Sequence, residues 1–297
     1  MVDIIIAEHA GFCFGVKRAV KLAEESLKES QGKVYTLGPI IHNPQEVNRL
    51  KNLGVFPSQG EEFKEGDTVI IRSHGIPPEK EEALRKKGLK VIDATCPYVK
   101  AVHEAVCQLT REGYFVVLVG EKNHPEVIGT LGYLRACNGK GIVVETLEDI
   151  GEALKHERVG IVAQTTQNEE FFKEVVGEIA LWVKEVKVIN TICNATSLRQ
   201  ESVKKLAPEV DVMIIIGGKN SGNTRRLYYI SKELNPNTYH IETAEELQPE
   251  WFRGVKRVGI SAGASTPDWI IEQVKSRIQE ICEGQLVSSR SHHHHHH

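Results

Sequence analysis

Three observations predict an α/β protein made of three pseudo-repeated units about a pseudo-three-fold axis. Short β-rich runs alternate with polar-faced helical stretches, the pattern of largely parallel sheets. Three kinds of segment recur three times in the same order, and a cysteine stands at the same point of each repeat, just before a helix. A period of this size is the mark of a repeated supersecondary unit.

The predicted strands are, in order, Ile4–Ala7, Val34–Leu37, Thr68–Arg72, Phe115–Val119, Val159–Ala163, Val212–Ile216 and Arg257–Ser261. The cysteine segments read IIIAEHAGFCFGVKRAV, KVIDATCPYVKAVHEAV and KVINTICNATSLRQESV, around Cys13, Cys96 and Cys193. Gly38, Gly120 and Gly217 follow 25, 24 and 24 residues later; each ends a strand and opens GPIIHNPQEV, GEKNHPEV or GGKNSGNT. The third segment type reads TVIIRSHGIPPE, RVGIVAQTTQNEE and RVGISAGASTPD, and a connecting turn recurs as ETLEDI and ETAEEL. The cysteine spacings of 83 and 97 residues place the units at 1–96, 97–193 and 194–284. Residues 285–297 are expected to be a tail ending in a purification tag, His292–His297, after vector-derived Ser288–Ser291.

The chain has 297 residues, 40% hydrophobic and 26% charged, with a formal net charge of −3. That length supports a large core without disulfides. The near-neutral charge argues against nucleic acid or an anionic membrane as a partner. Apolar strings such as Phe115–Val119 run five residues, far short of the roughly 20 that span a bilayer. The N-terminus lacks a basic region, so no signal peptide is read and the expected compartment is the cytoplasm. The six cysteines are then expected to be reduced.

A helix N-terminus favours thiolate, so Cys13, Cys96 and Cys193 are three activated sulfurs that a three-fold arrangement would bring to its axis. Two centres suit three symmetric thiolates. One is tetrahedral zinc with a fourth ligand; the other is a 4Fe–4S cube with three cysteine ligands and one open iron. Spacing alone does not choose between them. Cys107, Cys137 and Cys282 have no counterparts across the repeats and read as small hydrophobes.

The loops after the marker glycines place His42, His124 and Ser221 at equivalent positions, with Pro44, Glu126 and Asn223 two residues later. The third segment contributes His74, Thr165 and Ser265 at strand ends, where α/β proteins bind ligands. These donors and helix N-termini suit a phosphate or diphosphate. Glu126 is the sole carboxylate at its loop position across the repeats, a candidate proton carrier beside a histidine. The remaining native histidines, 9, 103, 156 and 240, read as ordinary.

Together GFCFGVKRAV, GPIIHNPQEV, IRSHG, DATCPYV, HPEVIGT, QTT, CNAT, GGKNSGNT and SAGASTPD resemble the IspH/LytB family of 4-hydroxy-3-methylbut-2-enyl diphosphate reductases, from about Ile4 to Cys282. The resemblance implies a trefoil of three α/β units around a central 4Fe–4S cluster held by Cys13, Cys96 and Cys193. It also implies diphosphate binding by His42, His74, His124, Ser221, Asn223 and Ser265. Glu126 becomes the acid near the substrate hydroxyl, aided by His124, and Thr165 its hydroxyl-contacting threonine. Gly222 is a departure, because many relatives are expected to carry serine there, whose hydroxyl would contact phosphate; the backbone N–H remains. An electron donor such as ferredoxin or flavodoxin is expected. The rival reading is a zinc-stabilised, non-redox module that binds a small phosphate ester.

Overall fold

The computed structural model describes residues 1–60 and 62–295, with side chains to residue 285. Its described residues form three four-stranded sheets in which every pairing is parallel. They divide into two compact units, Phe14–Cys193 and Met1–Cys13 with Asn194 onward.

The unit Phe14–Cys193 holds two of the sheets. The first runs β5 (Lys90–Asp93), β4 (Thr68–Ile71), β2 (Val34–Leu37), β3 (Val55–Ser58). Its helices are α1 (Phe14–Ser26), α2 (Pro44–Leu53) and α3 (Pro78–Lys86). The second runs β9 (Glu185–Val188), β8 (Arg158–Ala163), β6 (Phe115–Val119), β7 (Gly141–Val144), with α4 (Pro97–Arg111), α5 (Pro125–Ala136) and α6 (Glu169–Ala180). Side-chain alternation along β6 feeds two cores. Val116 and Leu118 join α4 and α5 residues such as Val106 and Val127. Val117 and Val119 join α6 residues such as Val175 and Ile179. Covering both faces makes the central strands continuous apolar runs, as parallel sheets require.

In the other unit the order is β1 (Asp3–Ile6), β12 (Arg257–Ala262), β10 (Val212–Ile216), β11 (Thr238–Ile241). Its helices are α7 (Ala195–Leu206), α8 (Gly222–Leu234) and α9 (Asp268–His295). The three sheets thus have one topology. The strand leading to each cysteine lies at the edge, beside the strand of the third segment type.

Two sequence expectations change here. Residues 3–6, assigned to the unit 1–96, pair with β12 of the third sheet. A sequence repeat fixes the period but not where the structural unit opens, and the strand before each cysteine closes the preceding unit's sheet. For the third sheet that strand comes from the N-terminus. The segment 285–297, set aside as a tail, begins inside α9; residues 296 and 297 lie outside the described residues.

Proline and polar caps start the helices as their sequence suggests. Pro44, Pro78, Pro97 and Pro125 stand in first turns, where a missing N–H costs nothing. Asn43 accepts from the Gln45 and Glu46 amides, and Asn168 from that of Phe171. Both ETxEx turns are capping boxes, Thr146 with Asp149 and Thr243 with Glu246.

Cys107 and Cys137 depart from the expectation of six thiols: they form a disulfide, with Cα atoms 5.8 Å apart. Neither position repeats, so alignment of the units is blind to the pair; it arises because α4 and α5 pack side by side. Among the described residues no helix is long and apolar enough to cross a membrane.

Candidate active site

Two of the key cysteines are tied by a backbone bond to a third-type segment, and at the third the bond comes from the preceding residue. The Cys96 amide donates to the Ser73 carbonyl at 3.0 Å and the Cys193 amide to that of Thr165 at 2.7 Å. In the other unit the Phe12 amide, one residue before Cys13, donates to Thr266 at 3.0 Å. The chain then turns into α1, α4 or α7, so all three sulfurs sit at helix starts, none in a disulfide. Close approach is built in at Gly15: a Cβ there would come within 2.6 Å of the Cys96 sulfur. Among the described residues no group of three or more His, Cys, Asp or Glu side chains is gathered around a single point as a metal site would require, which applies equally to the zinc and the iron–sulfur readings of the three thiols.

Within Phe14–Cys193 the histidines predicted from the loops come together. The rings of His74 and His124 meet edge to face, centroids 5.4 Å apart. Burial pushes the His74 imidazole down to about 4, helped by the charges of Arg72, His124 and His42. Its Nδ1 is buried without a partner. His124 is lowered for the same main reason, burial, with Arg72 and His42 adding to it and Glu121 opposing. Both rings are therefore neutral near pH 7. His124 also caps α5: its Nδ1 accepts the Glu126 amide at 3.1 Å, which puts the neutral ring's proton on Nε2, a donor for an anion. His42 itself is exposed.

Glu126 is 3% exposed. The Thr165 amide donates to its Oε1 at 2.8 Å and the Thr165 hydroxyl to its Oε2 at 2.9 Å. Burial pushes the carboxyl up, against the opposing pull of these two bonds. One threonine thus clamps the carboxyl through its amide and hydroxyl and holds the Cys193 backbone through its carbonyl. The neighbouring Gln164 is scaffolding; its side chain accepts the Glu121 amide and donates to Thr166.

In the other unit Ser221 caps α8, accepting the Thr224 amide at 3.3 Å. Asn223 accepts the Ala264 amide at 3.3 Å, which joins the SGN loop to the loop bearing Ser265. Gly222 opens α8, and a Cβ there would meet nothing within 4 Å. Among the ordinary histidines, His103 is a core ring stacked on Tyr133 at 4.0 Å. A cavity of about 440 Å³ at the ends of β6 and β8 is lined by Glu121 and Glu145, the wrong charge for a phosphate. Sequence reasoning missed Arg72, two residues before His74; its basic character was visible, but its burial among the histidines was not.

Fold and site define a class: a triplicated α/β protein that presents helix-leading thiols, a cluster of neutral histidine donors and a buried acid. Residues 4–279 match the family described as LytB protein. The 4-hydroxy-3-methylbut-2-enyl diphosphate reductase of Geobacter sulfurreducens is 52% identical over 279 residues, covering 94% of this chain and 97% of that protein. The protein of the same name from Citrifermentans bemidjiense is 49% identical over 280 residues, covering 94% and 98%. The solved E-1-hydroxy-2-methyl-but-2-enyl-4-diphosphate reductase of Plasmodium falciparum superposes with a TM-score of 0.74 at 29% identity, covering 94% of this chain and 87% of that one. The chain belongs to the LytB family. Membership implies an iron–sulfur cluster.

Proposed function

We infer that the chain reduces 4-hydroxy-3-methylbut-2-enyl diphosphate, the substrate in its relatives' name, in the last step of the non-mevalonate isoprenoid pathway. Two electrons and two protons break the C4–O bond, release water, and form one new C–H bond. Protonation at either end of the allyl unit gives isopentenyl or dimethylallyl diphosphate. The observation that carries this reading is the Glu126–Thr165 clamp, in the same unit as the histidine cluster.

Cys13, Cys96 and Cys193 are the proposed cluster ligands. Their place at helix starts, with none of them in a disulfide, supports this reading. When bound, a 4Fe–4S cluster supplies the electrons and one open iron as a Lewis acid. A ferredoxin or flavodoxin is the proposed donor.

The chain's own residues bind the substrate and move the proton. His124 offers Nε2–H, and His42 and His74 add ring donors. Ser221, Asn223, the amide of Gly222, and Ser265 complete the proposed diphosphate contacts. When Glu126 is protonated it donates to the Thr165 hydroxyl, which turns its own hydrogen outward towards the substrate hydroxyl. The leaving oxygen so departs as water.

Anaerobically prepared protein, reduced with dithionite and a dye, should convert the substrate to both products, measured by mass spectrometry. No consumption of substrate by iron-replete protein would refute the reading. Gly222→Ser has room to fold, so its Tm should match wild type. The added hydroxyl should tighten inorganic diphosphate binding about 2- to 10-fold, read by calorimetry. An unchanged Kd would remove position 222 from the site.

A further inference from the structure

The geometry points to Arg72 as a further substrate-binding residue: a guanidinium that meets the diphosphate and ties the His42 and His74 loops together. The inference rests on the reading of this cluster as a diphosphate site. Arg72 directly follows β4 and opens the turn that carries His74, its carbonyl accepting the Gly75 amide at 3.0 Å. Its Nη1 donates to the Pro39 carbonyl at 3.2 Å, at the start of the loop leading to His42. The guanidinium lies against Gly38, whose φ is +75°; a Cβ there would stand 3.3 Å from Cζ and Nη1. Any larger residue at 38 would displace it.

Among the described residues the guanidinium has no other hydrogen-bond partner, although arginine offers five donors in a fork. Burial alone lowers its pKa, with no carboxylate offsetting the cost. A half-buried cation without a countercharge carries part of the cost of a buried one, and a site of this kind suits an arriving anion. The histidines do not supply the missing charge. Burial, helped by Arg72 itself, pushes His74 down to about 4 and lowers His124 as well, so both rings are neutral near pH 7. They give hydrogen bonds, whereas Arg72 gives a charge that does not titrate in the working range. An ionised donor strengthens bonds to phosphate oxygens, and a planar fork suits two of them at once.

The test uses the full-length, iron-replete protein, with inorganic diphosphate as calorimetric probe and the natural substrate for kinetics. At pH 8, Arg72→Gln should weaken diphosphate binding roughly 10- to 100-fold. KM should rise by a similar factor while kcat changes little, and Arg72→Lys, which returns the charge without the fork, should restore part of the loss. An unchanged Kd and KM in Arg72→Gln would overturn the proposal. So would failure of Arg72→Lys to rescue binding in a variant with wild-type iron content and circular dichroism, which would leave Arg72 as a loop tie only. Wild-type protein that turns over substrate yet shows this null in both variants refutes Arg72 alone. Wild-type protein that binds no diphosphate and turns over nothing refutes the functional reading beneath it.

Discussion

Glu126→Gln should turn over about 100-fold or more slowly than wild type, the scale of a lost general acid, with iron content and KM close to wild type. The substitution keeps shape and removes the proton. Its amide oxygen can still accept the Thr165 amide, the bond that Oε1 makes in wild type. Its NH2 would face the Thr165 hydroxyl, which now accepts where it formerly donated. The relay then has no acidic hydrogen to pass on. The wild-type pH profile adds a second reading. Burial raises the carboxyl, so the proton-bearing form persists to a higher pH than for an ordinary glutamate. Turnover should fall as pH rises through that raised value, and this limb should vanish in the glutamine variant. Near-wild-type turnover in Glu126→Gln would take Glu126 out of the role.

Cys96→Ser should lose both turnover and cluster, while Cys107→Ser keeps its iron. Both residues lie on or beside α4, so proximity alone predicts no difference. The distinction is positional. Cys96 leads the helix, is anchored to Ser73 and packs its sulfur against Gly15, where a Cβ would clash with it. Cys107 lies within the helix, bonded to Cys137. Its loss should lower stability by about 2–4 kcal/mol under oxidising conditions, read as a lower Tm, without touching iron content. Equal iron loss in both variants would contradict the assignment.

Much of this was legible in the chain itself. The triplication of segments foretold three sheets of one topology, because a repeated pattern of apolar runs and turns folds the same way each time. His74 and His124 could be placed together from equivalent strand ends, and their rings do meet. Other features were not legible, for tertiary reasons. The partner of β1 is set by pairing with β12 across most of the chain length, and no local pattern encodes it. Ser221, placed in the sequence only as a phosphate contact, also caps α8, a local bond that the loop pattern did not single out. Thr165 could be placed at a strand end, but that its hydroxyl goes to a carboxylate 39 residues away could not be read from the chain. Arg72 stood at the end of a predicted strand, and only the packed loop reveals its contact with Gly38 and Pro39. The Cys107–Cys137 bond escaped because it breaks the three-fold pattern and the expected compartment argued for thiols.

The most direct test of the central claim is anaerobic determination of iron and acid-labile sulfide, with EPR before and after addition of substrate. Cys13, Cys96 and Cys193 as shared ligands predict about four iron and four sulfide per chain, with a reduced-state spectrum that changes when substrate binds. A colourless protein carrying stoichiometric zinc, its metal content indifferent to serine at those three positions, would contradict it.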